Sequence, residues 1–195
     1  MALAARKPKL SYQDYLDLEQ RTDTRHEFLD GEVFAMAGGT PRHSAAKTNL
    51  IGLLFAGLRG RGPCRPYDSD LKVRVLATGL ATYPDVTVIC GKPDRDEEDA
   101  NAATNPTLLA EVLSPSTEAW DRGGKFDHYQ QIPSLQHYLL MDPRKPLLQH
   151  FERQTDGSWR LTTHRAGDAL TVMGVALSVD ELYAELPDDE AQTGV

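Results

Sequence analysis

The chain has 195 residues, of which 40% are hydrophobic and 26% charged, and its formal net charge is −8. This length and composition are typical of one globular domain with a proper hydrophobic core. The negative charge argues against a dedicated, strongly basic nucleic-acid binder, because phosphate neutralisation needs clustered Lys and Arg, but it allows an enzyme with a local basic groove. No run approaches the ~18 apolar residues of a membrane span and no signal-peptide segment is evident, so we expect a cytoplasmic protein.

Turn and capping signals divide the chain into helices and strands. Ser11 with Asp14 resembles a capping box at the start of the first helix. Asp30–Gly31 between two apolar segments indicates a hairpin, because a type I′ turn needs positive φ. The predicted elements are a loose arm at 1–10, helix 11–20, the hairpin, helix 43–58, strands 65–76, 83–90 and 107–114, helix 117–132 weakened by Gly123–Gly124, strand 136–141, a hairpin of 147–153 with 159–164, helix 179–186 and an acidic tail.

Three stretches outside the candidate site allow predictions about the environment of their side chains. Cys64 and Cys90 belong to no CxxC pair, so we interpret them as reduced core thiols, with a disulfide or ligand role as the alternative. In the predicted strand 65–76, apolar and charged residues alternate, which predicts that Lys72 and Arg74 face outward. The polar, acidic stretch 91–106 has no periodicity and predicts a mobile loop whose charges are solvated.

The stretch Leu108–Thr117 holds the clearest functional signal. Glu111 interrupts a short apolar run typical of a buried strand, and an acid is almost never fully buried unless it is paired or binds a metal. Asp85 opens the preceding strand just after Pro84. If the two strands pair antiparallel, the start of one lies beside the end of the other, and Asp85 and Glu111 converge at one edge of the sheet.

Converging carboxylates repel each other unless a cation lies between them, and oxygen-only ligation suits Mg²⁺ or Mn²⁺. Such a metal can polarise a phosphodiester and lower the pKa of a bound water. A positive side chain is also expected nearby, and Lys125 is the candidate because it lies one turn beyond Asp121 on the next helix. The structural alternatives are an ion pair of Glu111 with Arg122 or Lys125, or a surface position for Lys125.

Four further residues are candidate supporting groups, and each has a structural alternative. Glu27 could bind the metal or orient water, or could simply flank the hairpin turn. His43, near the start of the long helix, could contact substrate or be structural. Asp70 could lie near the acids or be an exposed edge residue. Asp121 could support the site, although such a residue most often caps or pairs within its own helix.

Several sequence blocks occur in an order that carries a family resemblance. The blocks are YPDV, AEVLSPST, DRGGKFDHY and YLLMDP, preceded by HEFLDGEV around Glu27, by His43, and by SDLKVRV around Asp70. Over roughly residues 10–150, the chain resembles the Uma-two family of restriction-endonuclease-like proteins, which belongs to the PD-(D/E)XK nuclease superfamily.

The resemblance implies an α/β fold with a restriction-endonuclease-like core, in which helices flank a mixed central β-sheet. It implies that Asp85 and Glu111 hold Mg²⁺. It also implies that Asp70 and Glu27 lie near the site and that Lys125 stands in for the lysine of the usual motif.

Together these patterns predict a single domain over residues 1–186 and a disordered acidic tail at 187–195. The domain is expected to be a Mg²⁺- or Mn²⁺-dependent endonuclease that hydrolyses DNA with water as nucleophile. A homodimer is expected on base rates and would place two sites where both strands of a duplex could be reached. In the usual motif a lysine stands two residues after the second acid, where this chain has Leu113. That departure favours an alternative, a catalytically inactive nuclease-fold binding or assembly module, and a metal-independent hydrolase acting on sugars is a third possibility.

Overall fold

A computed structural model of the chain describes residues 9–36 and 38–189. Within them, five helices and thirteen strands form a mixed α/β architecture, as the sequence predicts. The helices are α1 Tyr12–Arg21, α2 Pro41–Leu58, α3 Glu118–Arg122, α4 Gly124–Tyr129 and α5 Val179–Leu182. The strands are β1 His26–Leu29, β2 Glu32–Ala35, β3 Cys64–Tyr67, β4 Lys72–Val75, β5 Leu80–Thr82, β6 Val86–Cys90, β7 Ala102–Ala103, β8 Leu108–Val112, β9 His137–Asp142, β10 Leu147–Arg153, β11 Trp159–Arg165, β12 Ala169–Val172 and β13 Val175–Ser178.

Two mixed sheets organise the described residues. The larger has six strands in the order β11-β10-β9-β8-β6-β3, with β8 and β9 parallel and the other neighbours antiparallel. The second has five strands in the order β2-β1-β5-β4-β7, and β12 pairs with β13 in a separate hairpin. Helices flank these sheets, and no described helix has the length and apolar character that crossing a membrane requires.

Strand β8 divides the core because successive side chains of a strand point to opposite faces. Leu108 and Val112 pack with the buried stripe of α2 and with the β12–β13 hairpin. Leu109 and Leu113 pack on the other side, with the five-stranded sheet and the segment that contains α4. Glu111 lies two residues from both Leu109 and Leu113, so its side chain points to the same face of the strand. Its carboxylate therefore lies in the layer between the two sheets.

Local signals confirm the N-terminal elements. Ser11 and Asp14 make both hydrogen bonds of a capping box at the start of α1. Asp30 and Gly31 have φ of 53° and 82°, as a type I′ turn between β1 and β2 requires. The side chain of Thr40 accepts a backbone hydrogen bond at the start of α2.

The single strand predicted over 65–76 is wrong, because this stretch crosses from one sheet to the other. It forms β3 in the six-stranded sheet and β4 in the five-stranded sheet. The outward orientation predicted for Lys72 and Arg74 is also wrong, since both are buried. Lys72 Nζ lies 2.8 Å from Asp99 Oδ2, and the Arg74 guanidinium lies 3.7 Å from the ring centroid of Tyr12 in α1.

The solvated loop predicted over 91–106 is partly wrong. Within it, β7 pairs in parallel with β4. Asp96 and Asp99 are buried. Within the loop, Asp96 accepts two backbone N–H hydrogen bonds and Asp99 accepts one. Local turn bonding and the ion pair with Lys72 therefore compensate two acids of the charge run.

The interpretation of the cysteines as reduced thiols is wrong in this structure, where Cys64 and Cys90 form a disulfide. They are direct partners in the antiparallel β3–β6 register, and their Cα atoms are 3.8 Å apart. The N–H of Gly91 bonds to the carbonyl of Pro63, so the cysteines occupy a non-hydrogen-bonded position, where side chains of facing strands come closest.

The C-terminal half differs from prediction mainly in element boundaries. The expected weakness at Gly123 separates the predicted helix into α3 and α4. Strands β12 and β13 are not predicted, and the terminal helix ends at Leu182 rather than at residue 186. Of the arm expected at 1–10, residues 1–8 lie outside the described residues. Of the tail expected at 187–195, residues 190–195 lie outside them.

Candidate active site

The two strand-end acids meet as the antiparallel pairing predicts. Val86 of β6 faces Ala110 of β8, which sets Asp85 beside Glu111. The backbone N–H of Asp85 donates to Glu111 Oε2 at 3.3 Å, and Asp85 Oδ2 accepts the N–H of Val112 at 2.8 Å. Backbone geometry therefore holds the two carboxylates next to each other.

Lys125 lies in the centre of a carboxylate cluster. Its Nζ is 2.9 Å from Glu27 Oε1, 3.1 Å from Glu111 Oε1 and 3.5 Å from Asp121 Oδ1. The side chain is only 7% exposed, so its alternative as a surface lysine is wrong. The helix break at Gly123 starts α4 here, and its first turn carries Lys125 between the two sheets.

Burial and the charges of neighbouring groups shift the pKa values in the cluster. Burial raises the pKa of Glu111 to about 8, because the attraction of Lys125 only partly offsets the loss of solvent and the repulsion from neighbouring acids. Burial likewise raises the pKa of Asp121 above its usual range. Burial acts to lower the pKa of Lys125, but Glu111, Glu27 and Asp121 outweigh it and raise that pKa well above its ordinary value.

Asp85 is held from its other side by α2. His43 Nε2 donates to the Val112 carbonyl at 2.8 Å and lies 3.3 Å from Asp85 Oδ2. Lys47 Nζ lies 3.8 Å from Asp85 Oδ1. Burial acts to raise the pKa of Asp85, but the hydrogen bond with His43 and the Val112 N–H outweigh it and keep that pKa below its usual range.

Further buried groups fix the positions of the acids. Thr82 Oγ1 donates to Glu27 Oε1, and Tyr129 Oη donates to Glu111 Oε1 at 2.8 Å. The Oδ1 atom of Asp121 is buried and has no hydrogen-bond partner in the structure, although Lys125 approaches it. One carboxylate oxygen in the cluster therefore keeps an unused capacity to accept.

The structure brings most of the predicted site residues together, and Asp70 is the exception. The Asp70 side chain is 71% exposed and pairs with Arg25 Nη2 at 2.6 Å, as its edge-residue alternative predicts. Lys47 and Tyr129 are neighbours that the sequence patterns do not single out. Each lies four residues after a predicted site residue on the same helix, and that spacing is the signal that could have found them.

The donor set fits a hard divalent cation. One buried lysine, Lys125, contacts three carboxylates, from Glu27, Glu111 and Asp121. The fourth carboxylate, that of Asp85, lies beside Glu111 and 3.8 Å from Lys47 Nζ. In residues 9–36 and 38–189, no three His, Cys, Asp or Glu side chains are already arranged to hold a metal ion. Mg²⁺ usually keeps several waters and needs only one or two protein carboxylates, which Asp85 and Glu111 can supply.

Comparisons with known proteins find a family and relatives that match over most of the chain. The family model described as "Uma2: Putative restriction endonuclease" matches residues 12–181. Uncharacterized protein slr1290 of Synechocystis sp. is 41% identical over 181 residues, covering 92% of this chain and 94% of that protein. Uncharacterized protein sll1609 of the same organism is 34% identical over 162 residues, covering 83% of this chain and 91% of that protein.

A solved structure supports the fold. The crystal structure of a "putative nuclease belonging to DUF820" from Anabaena variabilis matches with a TM-score of 0.71 and 18% identity, covering 89% of this chain and 99% of that one. At this identity the likeness bears on the fold alone. The family model, by contrast, spans nearly the whole described chain, and the resemblance expected from the sequence is confirmed: the chain belongs to the Uma2 family of restriction-endonuclease-like proteins.

Proposed function

We propose that this protein is a metal-dependent endonuclease that hydrolyses DNA phosphodiesters. The observation that carries the proposal is the pair of carboxylates at adjoining strand ends, Asp85 and Glu111, with the buried ammonium of Lys125 beside Glu111. Membership of a family described as restriction endonucleases supports a nucleic acid as substrate.

Four side chains of the site have defined tasks in this proposal. Asp85 and Glu111 bind Mg²⁺ or Mn²⁺, which when bound supplies Lewis-acid polarisation of the phosphodiester and a more acidic water. The Val112 N–H keeps Asp85 oriented. Glu27 orients the attacking water, and Lys125 provides a fixed positive charge that offsets the negative charge developing at phosphorus.

The position of Lys125 bears on the missing motif lysine. Leu113 fills the usual lysine position on the strand and is buried in the core. A lysine from α4 nevertheless reaches Glu111 from the same layer between the sheets. The charge that the motif normally supplies from the strand is therefore supplied from the helix, and this favours an active enzyme over the inactive module.

Cleavage of supercoiled plasmid tests the proposal. Wild type should nick the plasmid in Mg²⁺ or Mn²⁺ and not in EDTA. Asp85→Asn and Glu111→Gln keep the side-chain shape but remove the charge, and each should abolish nicking. Asp70→Asn is the matched control, because Asp70 is an exposed acid paired outside the cluster, and it should cleave like wild type.

Two results would contradict the endonuclease. Folded wild type that leaves DNA intact with either metal would favour the inactive binding or assembly module. Hydrolysis that persists in EDTA would exclude the metal site. The homodimer stays a prediction, and sedimentation of the purified protein measures it independently of cleavage.

A further inference from the structure

We infer that Lys47 makes the direct contact with the substrate phosphate at this site. Lys47 lies one helical turn after His43 in α2, and its Nζ is 3.8 Å from Asp85 Oδ1. The inference rests on the proposed endonuclease activity, since it assigns a substrate contact within that same site.

Lys125 cannot take this task in the arrangement observed. An ammonium group has three protons to donate. Its three neighbours within 3.5 Å are the carboxylates of Glu27, Glu111 and Asp121, and its side chain is 7% exposed. The ammonium is therefore enclosed by acids of the protein, so it can act on the substrate as a nearby positive charge but not by direct contact.

Lys47 has the opposite environment. Its side chain is 22% exposed, about three times as much as that of Lys125. The distance to Asp85 Oδ1 exceeds that of a hydrogen bond, and the hydrogen bond that it does make, at 3.1 Å, goes to the neutral hydroxyl of Ser69. Its charge is therefore only partly compensated.

The placement of Lys47 also suits a phosphate geometrically. Asp85 Oδ2 is occupied by the Val112 N–H and lies near His43, so Oδ1, the oxygen beside Lys47, is the more loosely held of the two. A phosphate oxygen near that edge would meet a lysine with a flexible four-carbon stem. Lys47 can thus move from Asp85 to the phosphate.

Binding measured against salt concentration tests this contact without relying on turnover. Fluorescence anisotropy would follow a labelled DNA duplex in Ca²⁺, with gels to verify that the duplex stays intact. Each phosphate contact by a lysine contributes about 0.9 to the slope of log K against log salt. Lys47→Gln should lower that slope by about 1 and weaken binding at low salt by roughly tenfold.

Two variants control the experiment. Lys92→Gln removes an exposed lysine beyond the opposite end of β6 from Asp85, and it should leave the slope unchanged. Lys47→Arg keeps the charge and should retain the wild-type slope, which also covers the case in which Lys47→Gln folds poorly.

The outcomes distinguish failure of the Lys47 contact from failure of the proposed endonuclease. Suppose that wild type binds the duplex, and that Lys47→Gln has an unchanged melting temperature and the wild-type salt slope. Lys47 is then only a structural partner of Asp85. This result overturns the inference but leaves the endonuclease in place. If wild type neither binds nor cleaves DNA, the proposed function fails and the phosphate contact fails with it.

Discussion

Replacing Lys125 by Met should strongly destabilise the protein. The substitution keeps an unbranched side chain of similar length but leaves Glu27, Glu111 and Asp121 without their shared ammonium. Removing one partner of a buried ion pair typically costs about 3–5 kcal/mol, because the remaining charge is buried without compensation. For a chain of this size each kcal/mol corresponds to roughly 2–4 °C, so the melting temperature should fall by roughly 6–20 °C.

The loss should depend on pH in a defined direction. Burial already raises the folded-state pKa values of Glu111 and Asp121, and loss of Lys125 removes the attraction that opposes this rise. The folded state of the variant therefore binds more protons than the unfolded state between the unfolded and folded pKa values. The penalty is absent below the unfolded pKa values, near 4, and grows as the pH rises toward the folded ones. The difference from wild type should therefore be smaller at pH 5 than at pH 8.

Differential scanning calorimetry of wild type and Lys125→Met at these two pH values measures the effect. Lys145→Met is the matched control, because Lys145 is 66% exposed and lies 3.8 Å from Asp142, and it should change stability by less than about 1 kcal/mol. A loss below about 1 kcal/mol for Lys125→Met, or a difference that grows as the pH falls, would refute the charge balance derived for the cluster.

Two further predictions concern the framework around the site. Reducing the disulfide between Cys64 and Cys90, which are 26 positions apart, should lower the free energy of unfolding by about 3 kcal/mol in urea titrations, and an unchanged midpoint would contradict the cross-link. Gly57→Ala would place a Cβ 2.3 Å from Val175 Cγ1 and should lower the free energy of unfolding by about 1–3 kcal/mol. In the same helix, a Cβ at Gly52 meets open space, and Gly52→Ala should raise the free energy of unfolding by up to about 1 kcal/mol. Equal thermal shifts for the two glycine variants would be inconsistent with this packing.

Local patterns were sufficient for the part of the site that depends on neighbouring strands. A lone acid in an apolar run and a Pro-Asp strand start predicted that Glu111 and Asp85 would meet. The place of Lys125 one turn beyond Asp121 predicted a positive side chain near the acids, and the Gly123–Gly124 break explains how the chain turns this residue toward Glu111. These predictions depend on short-range geometry that the residues themselves encode.

Long-range pairing set the limit of prediction. The register between β3 and β6 decides whether Cys64 meets Cys90, and no local pattern specifies it. Lys72 alternates like a surface residue, yet the second sheet and the acidic loop bury it beside Asp99. Asp70 has the residue type of a ligand, but it lies in the exposed turn between β3 and β4, where it pairs with Arg25.

A Mn²⁺ titration followed by electron paramagnetic resonance tests the central claim most directly, namely that the strand-end acids hold a divalent cation. Wild type should bind Mn²⁺ more tightly at pH 8.5 than at pH 7, because Glu111, whose pKa is raised to about 8, must lose its proton before it can bind a metal. Glu111→Gln should lose this binding, and Asp70→Asn should keep it. Equal Mn²⁺ binding by wild type and Glu111→Gln, or no binding by folded wild type at millimolar Mn²⁺, would contradict the account.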